Sequence, residues 1–176
     1  MTNLEEAVED FLAGDRSAFQ KLVDATSTRL VRLSARMLGN MTDAEDAVQE
    51  AYVKAYRSLL GGQFDRRSRV ETWLYRIVVN TSIDAKRARG RRIPQADVLV
   101  APSWDGGASA DARLALAELA DWLDDLPEEQ STAIILKAVE GLGAAEIAEI
   151  LQCSEGAVEQ QLVRARTTLK QRRNES

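Results

Sequence analysis

Apolar residues recur at helical spacing along almost the whole chain, and no segment shows a convincing strand pattern. The spacing predicts eight helices, over residues 4–12, 18–38, 42–60, 70–89, 110–124, 128–139, 144–151 and 155–172. Gly39-Asn40 and Gly61-Gly62 are stop signals for the second and third of these helices. The pattern therefore predicts an all-α protein.

Two of the predicted helices also carry start signals. Thr42 followed by Glu45 is typical of a capping box, in which Thr42 caps the third helix and Glu45 reaches back to it. Ser154 is a good N-cap for the last helix.

The last two predicted helices are joined by a turn of only three residues, 152–154, in which we expect Cys153 to be a small buried side chain. The apolar face predicted for the last helix comprises Val158, Leu162, Ala165 and Leu169. Two short helices with such a turn are typical of a helix-turn-helix, which places its second helix in the major groove of DNA. An ordinary helical hairpin within a bundle fits the spacing about equally well.

Residues 90–109 differ from the rest, because Gly and Pro stand there among small and polar residues. A loop of that length without structure is unusual inside one compact domain. We therefore predict two small helical domains, over residues 1–92 and 110–176, joined by a flexible linker over residues 93–109. The helix-turn-helix lies in the second domain.

Composition excludes several kinds of chemistry. The chain has 176 residues with no His and one Cys, which excludes histidine triads, an internal disulfide and a cysteine-cluster metal site. We therefore expect no cofactor and no metal. The first residues are acidic where a signal peptide would be basic, and no apolar run approaches the ~20 residues of a membrane span. These features predict a cytoplasmic protein that does not insert into membranes.

Charge is distributed unevenly along the chain. The net charge is −5, yet residues 66–92 hold nine basic and two acidic residues. A basic patch of that kind attracts phosphates whatever the net charge is. A solvated helix face explains one basic run about equally well.

Several short motifs occur together in a fixed order. They are DAEDAVQE at 43–50, TWLYRI at 72–77 followed by Asn80 and Asp84, LPEEQ at 126–130, and the helix-turn-helix from Glu146 to Arg166. In order and spacing they resemble the bacterial RNA polymerase sigma factors of the extracytoplasmic-function type. The resemblance covers about residues 15–92 and 110–172. It implies a first domain that opens the minus-ten promoter element and a second that recognises the minus-thirty-five element.

The third predicted helix carries acidic residues on one face, which in an arbitrary protein is usually only a solvated face. The resemblance implies that this face docks on the basic coiled coil of the largest polymerase subunit, and complementary charge would speed that encounter. The expected docking residues are Asp43, Glu45, Asp46, Gln49 and Glu50.

The segment from residue 64 onward combines bases with aromatic rings, a combination that suits single-stranded DNA. The resemblance implies that this loop and Asn80 receive bases flipped from the non-template strand. Asn80 and Asp84 are four residues apart, so they project together and can hydrogen-bond a base edge. Trp73 fits plain core packing as well. The expected minus-ten residues are Phe64, Arg66, Arg67, Arg69, Trp73, Arg76, Asn80, Asp84, Lys86, Arg87, Arg89, Arg91 and Arg92.

The start of the last helix departs from the family pattern, whose members often carry Lys or Arg just after the position of Val158. Here Glu159 repels phosphates, although Glu can accept from cytosine and Gln can pair with adenine. We therefore expect minus-thirty-five binding that is weak, unusual in sequence or helped by another protein. The expected residues are Ser154, Glu155, Glu159, Gln160, Gln161, Arg164, Arg166 and Thr167.

The resemblance implies three partners: RNA polymerase core, promoter DNA, and an anti-sigma factor or other protein regulator. It implies an alternative sigma factor that directs promoter-specific transcription initiation and is not an enzyme. A second hypothesis is a sigma-like mimic that binds polymerase or an anti-sigma factor without directing initiation. A third is a simple helix-turn-helix repressor. An enzyme is least favoured, because the chain has no glycine-rich phosphate loop and no recognisable nucleophile setting.

Overall fold

The computed structural model describes residues 3–64, 66–90 and 121–175, and these contain helices and turns but no strand. The all-α prediction is therefore confirmed. The helices are α1 (Asn3–Leu12), α2 (Ala18–Leu38), α3 (Met41–Leu60), α4 (Val70–Gly90), α5 (Glu128–Ala138), α6 (Ala144–Leu151) and α7 (Glu155–Glu175). Residues 121–124 are also helical. The predicted linker over 93–109 and most of the helix predicted over 110–124 lie outside the described residues.

Two compact units, Met1–Arg92 and Ile93–Ser176, divide the chain. Helices α1–α4 belong to the first unit and helices α5–α7 to the second. None of the described helices combines the length and the apolarity that a membrane span requires.

Helices α2 and α3 form the centre of the first unit and run antiparallel. Phe19 meets the ring of Tyr56 edge-on at 5.1 Å, and the hydroxyls of Thr26 and Tyr52 share a hydrogen bond of 2.7 Å. Burial raises the pKa of Tyr52 above its usual value. The buried apolar side chains of this unit include Phe11, Leu22, Leu33, Leu59 and Leu74.

Helix α4 packs against both α2 and α3. A buried hydrogen bond of 2.9 Å joins Ser34 of α2 to Ser82 of α4, so neither hydroxyl is left unsatisfied. On the other side, the Lys54 ammonium of α3 donates to the Thr81 hydroxyl at 3.2 Å. These contacts fix which side of α4 faces the bundle and which side faces solvent.

The turn between α2 and α3 corrects the predicted capping box. Gly39 ends α2 with φ 78°, and Asn40 is the N-cap of α3 because its side chain accepts from the backbone N–H of Asp43 at 2.8 Å. The helix therefore starts at Met41, one residue earlier than predicted, and Thr42 lies inside it. The Asn40 side chain caps the helix instead, because it accepts from the Asp43 N–H, whereas a Thr42 cap would accept from the N–H of residue 44 or 45.

The second unit packs α6 and α7 against α5 through the apolar faces that the sequence predicts. Val158, Leu162 and Ala165 of α7 are buried, as are Ile147 and Ile150 of α6. Helix α6 ends at Leu151 and its C-cap, Gln152, has a left-handed φ of 53°. The Ser154 hydroxyl caps α7 by accepting from the Ala157 N–H at 3.1 Å. The predicted Ser154 cap is therefore confirmed.

The prediction that Cys153 is buried is wrong, because its side chain is exposed. The turn uses the backbone of this residue: its N–H donates to the Ala148 carbonyl at 3.0 Å. The thiol therefore contributes no packing between the two helices.

Candidate docking and nucleic-acid interfaces

The acidic face of α3 is presented to solvent. Glu45, Asp46, Gln49 and Glu50 are all exposed, and Glu50 pairs with Lys54 one turn later at 2.8 Å. Carboxylates at these spacings share one side of the helix, so the face can attract a basic partner surface.

Asp43 differs from the other four, because it is only half-exposed and has internal partners. Its carboxylate accepts from the Asn40 side-chain amide at 2.8 Å and lies 3.6 Å from the Arg89 guanidinium. The structure therefore places Asp43 in the start of the helix rather than on its outer face.

Exposed apolar side chains accompany the acids on α3, and sequence reasoning missed them. Met41 and Val53 are 42% and 48% exposed and stand at four-residue spacing with Glu45 and Gln49. Leu60 at the end of the helix is 50% exposed. The signal for this edge was present in the sequence: Met41 and Val53 fall outside the apolar stripe that the core uses. A face with acids and exposed apolar side chains suits a protein partner better than solvent alone.

The aromatic residues at the start of α4 belong largely to the hydrophobic core. Trp73 is 7% exposed, and its ring lies 4.8 Å from that of half-buried Phe64. Both rings pack against a cluster that includes Val8 and Phe11 of α1. The burial of Trp73 therefore agrees with the core-packing alternative, and its ring contacts the loop residue Phe64.

The arginines of the loop before α4 are exposed. Arg66 has φ 57°, a left-handed backbone that favours glycine, and its guanidinium lies 3.8 Å from the Glu9 carboxylate. Arg67 and Arg69 are also exposed, and the Arg69 carbonyl accepts from the Trp73 N–H at 3.0 Å. The loop therefore presents three cations beside the aromatic pair.

Arg76 lies one turn further along α4 and is half-buried. Its Nη2 donates to the Ser68 hydroxyl at 3.3 Å, while its buried Nε has no hydrogen-bond acceptor among the described residues. This side chain braces the loop against the helix.

Further predicted minus-ten residues lie along the rest of α4. Asn80 and Asp84 are both exposed, one turn apart, so their amide and carboxylate can approach the same external group. Arg87 is exposed and Lys86 half-buried, and Arg89 is also exposed, with its Nη1 donating to the Leu38 carbonyl at 3.2 Å. Arg91 and Arg92 lie outside the described residues.

The outer side of α7 presents most of the predicted minus-thirty-five residues. The exposed members are Ser154, Glu155, Glu159, Gln160, Arg164, Arg166 and Thr167. The Thr167 hydroxyl donates to the Val163 carbonyl at 2.9 Å, within the helix. Val163 itself is 60% exposed and stands between Gln160 and Thr167, a position that the site prediction omitted.

Gln161 points away from the other members of this set. It is half-buried, and its amide donates to the Glu129 carboxylate of α5 at 3.0 Å. Among the exposed charges of α7, the acids Glu155 and Glu159 lie in the first two turns, and bases follow from Arg164 until Glu175 at the end of the helix.

Metal chemistry finds no support in the arrangement of side chains. Within residues 3–64, 66–90 and 121–175, no three or more acidic or cysteine groups are placed to hold a metal ion.

Two family descriptions match the chain, one in each unit. Residues 22–92 match Sigma-70 region 2, and residues 116–169 match Sigma-70 region 4. The first match includes the acidic face of α3 and the basic side of α4, and the second includes the helix-turn-helix.

Curated relatives are similar to this chain over most of its length. The ECF RNA polymerase sigma-E factor of Haemophilus influenzae is 37% identical, with 90% of this chain and 89% of that protein covered. The RNA polymerase sigma-H factor of Pseudomonas aeruginosa is 35% identical, with 94% and 91% covered. The ECF sigma factor SigW of Bacillus subtilis is 32% identical, with 95% of each chain covered.

Solved structures agree in fold. The structure of CnrH in complex with the cytosolic domain of CnrY matches with a TM-score of 0.76 at 27% identity, covering 99% of each chain. A sigma factor of Bartonella quintana, solved with the anti-sigma factor NepR, has a TM-score of 0.69 at 24% identity. It covers 88% of this chain and 96% of that one, and it supports the fold alone.

Proposed function

Because this chain belongs to the extracytoplasmic-function sigma factors, it is a transcription initiation factor for RNA polymerase, and we propose how its surfaces divide that work. The first unit (residues 1–92) docks on core polymerase and opens the minus-ten element. A helix-turn-helix domain over residues 110–176, within the second unit, recognises the minus-thirty-five element, and residues 93–109 link it to the first unit.

The outer face of α3 is the proposed docking surface. Glu45, Asp46, Gln49 and Glu50 supply its charge and hydrogen-bonding groups, and Met41 and Val53 supply apolar area at its edge. Acids steer a basic partner onto this face, and the apolar groups add to affinity once water has been excluded.

The loop of residues 63–69 and the outer side of α4 form the proposed minus-ten surface. Arg66, Arg67 and Arg69 hold the phosphates of the single strand, while Asn80 and Asp84 hydrogen-bond a base edge. The half-buried ring of Phe64 is the aromatic group available for stacking with a base, and the buried Trp73 ring packs against it. Catalysis of RNA synthesis belongs to the polymerase.

Helix α7 is the proposed minus-thirty-five reader. The basic residues Arg164 and Arg166, in the later turns of the helix, contact DNA phosphates. Glu159 and Gln160, nearer its start, face the edges of the nucleotide bases. The acidic start weakens the phosphate attraction, so we propose that this element contributes less to affinity than the minus-ten surface.

A protein regulator is the third proposed partner. The related CnrH was solved with the cytosolic domain of another protein, CnrY. An anti-sigma factor that covers the exposed apolar edge of α3 would block the docking surface. We place the chain in the cytoplasm, where polymerase acts.

One observation carries the proposal: neighbouring helices of a single unit present an acidic face with exposed apolar groups and a basic side with Asn80 and Asp84. A repressor that binds duplex DNA needs only the second of these. The pairing of a protein-docking face with a single-strand surface fits an initiation factor.

The docking surface is tested by the double substitution Glu45→Lys with Asp46→Lys. Since like charges then face the basic partner, affinity for core polymerase should fall about ten- to a hundred-fold in an equilibrium binding assay. Both side chains are exposed, so thermal unfolding should stay nearly unchanged.

The matched control is Glu6→Lys with Asp24→Lys, which makes the same charge change on α1 and α2. It should leave core affinity within about two-fold. If both double variants lost core affinity equally, the effect would be one of net charge, and the assignment of the docking surface to α3 would be wrong. Core binding without any promoter-directed transcription would favour the mimic, the hypothesis to which the acidic start of α7 gives some support.

A further inference from the structure

The turn between α2 and α3 is tied to the last turn of α4 by polar contacts that the proposed docking and DNA surfaces do not use. Arg89 donates through Nη1 to the Leu38 carbonyl at 3.2 Å, and the same nitrogen lies 3.6 Å from Asp43 Oδ2. Asn40 completes the cluster: it accepts from the Asp43 N–H and donates to the Asp43 carboxylate, both at 2.8 Å. We call these three residues, Asn40, Asp43 and Arg89, the clasp.

The charges of the clasp match the helix ends around them. Leu38 is the last residue of α2, where unsatisfied carbonyls favour a cation, and Asp43 lies in the first turn of α3, where unsatisfied N–H groups favour an anion. The Arg89 guanidinium therefore lies between two acceptors that both favour it. Both contacts are made by Nη1, and they hold the guanidinium at the turn although the side chain stays 44% exposed.

The clasp lies directly before the docking acids. Glu45 and Asp46 follow Asn40 by five and six residues, within the turns of α3 that fray first when an N-cap is lost. Glu45 and Asp46 share a face with Glu50 only while these turns remain helical.

We infer that Arg89 and Asn40 are positioning residues for polymerase docking, and that Arg89 is not a DNA contact. The inference rests on the proposed function and changes the role of one residue within it. Arg89 acts through Asp43 and the α2–α3 turn, and holds the start of α3 in the conformation that presents the docking acids.

The test compares Arg89→Ala with Arg87→Ala, two equal charge losses on one helix. Both side chains are exposed, but residues two apart on a helix point to different sides, and the Arg89 guanidinium is the one held at the α2–α3 turn. Two affinities are measured for each variant, well below its unfolding temperature. The first is the affinity of the variant for core polymerase. The second is the affinity of the assembled holoenzyme for a single-stranded minus-ten oligonucleotide, measured over a range of salt concentrations.

The two variants should show opposite patterns. Arg89→Ala should lower core affinity about three- to ten-fold, the effect of losing a helix cap, and leave the salt slope for the oligonucleotide unchanged. Arg87→Ala should leave core affinity unchanged and reduce that slope by about 0.7. The reverse pattern, or a lower unfolding temperature for Arg89→Ala with normal core affinity, would overturn the inference.

Two further variants guard against misfolding of Arg89→Ala. Arg89→Lys keeps a cation that can reach the carbonyl and should restore most of the core affinity. Asn40→Ala should weaken core binding by a similar factor, and Asn40→Ser, which retains a capping oxygen, should restore it. If the wild-type protein bound neither core polymerase nor the oligonucleotide, the proposed function would be wrong. If the wild type bound both normally and these variants had no effect, only the positioning role of the clasp would be wrong.

Discussion

The surface at α4 and the surface at α7 differ in how far each is shared with the hydrophobic core. At α4, Trp73 is 7% exposed and its ring contacts that of Phe64 at a tilt of 49°, so the same rings shape the loop and fill the bundle. At α7, Val163 is 60% exposed and the core is filled by residues on the opposite side, such as Val158 and Leu162.

The difference shows which surface is free to vary. A change at α4 alters the fold and the loop together, because its aromatic residues serve both. The exposed side of α7 can exchange Glu159 or Gln160 for other residues with little effect on packing, since both side chains are exposed. An unusual recognition helix is therefore compatible with an intact second unit.

The largest expected effect comes from truncating the shared ring. Trp73→Ala leaves a cavity in the first unit and should lower the free energy of unfolding by about 3–5 kcal/mol in a denaturant titration. Val163→Ala on α7 is the matched truncation on the exposed surface and should change it by less than about 0.5 kcal/mol. Comparable losses would show that the two surfaces are shared with the core to the same extent.

A smaller effect is expected where α4 reaches DNA without supporting the core. Asn80→Ala removes an exposed amide, so promoter opening, followed by permanganate reactivity of unpaired thymines, should fall about ten-fold. Binding to closed duplex promoter should change by less than about two-fold. Equal losses in both assays would argue against capture of a base by Asn80.

The smallest effect should separate two neighbours on α7. Glu159→Lys adds a cation on the exposed side, so minus-thirty-five affinity should rise about three- to ten-fold and the salt slope should steepen by about one or more. Gln161→Arg should change neither, because Glu129 at 3.0 Å is there to pair with the new cation. A steeper slope for Gln161→Arg would show that this side chain reaches DNA.

The helices were predictable because their apolar spacing is regular over many turns. Helix α2 has the predicted bounds of 18–38, and α4 differs from its predicted range by one residue. The start of α3 was harder to predict, since Asn40, Thr42 and Glu45 all carry groups that can cap, and only the backbone of the turn decides between them.

The apolar spacing did not predict polar contacts between distant parts of the chain. Gln161 bonds to Glu129, 32 residues away, and Arg89 reaches the Leu38 carbonyl 51 residues away. The apolar periodicity predicts which side of a helix faces the core, but it does not predict which polar groups from distant segments contact that helix. Gln161 and Arg89, both expected to meet DNA, are therefore among the residues that have partners inside the protein.

Run-off transcription of fragmented host genomic DNA by purified core polymerase, with and without this chain, tests the central claim most directly. We expect new, discrete transcript starts that depend on the chain and share a stronger minus-ten than minus-thirty-five sequence. Absence of such starts, with the chain still eluting together with core polymerase, would contradict the assignment of an initiating role to these two surfaces.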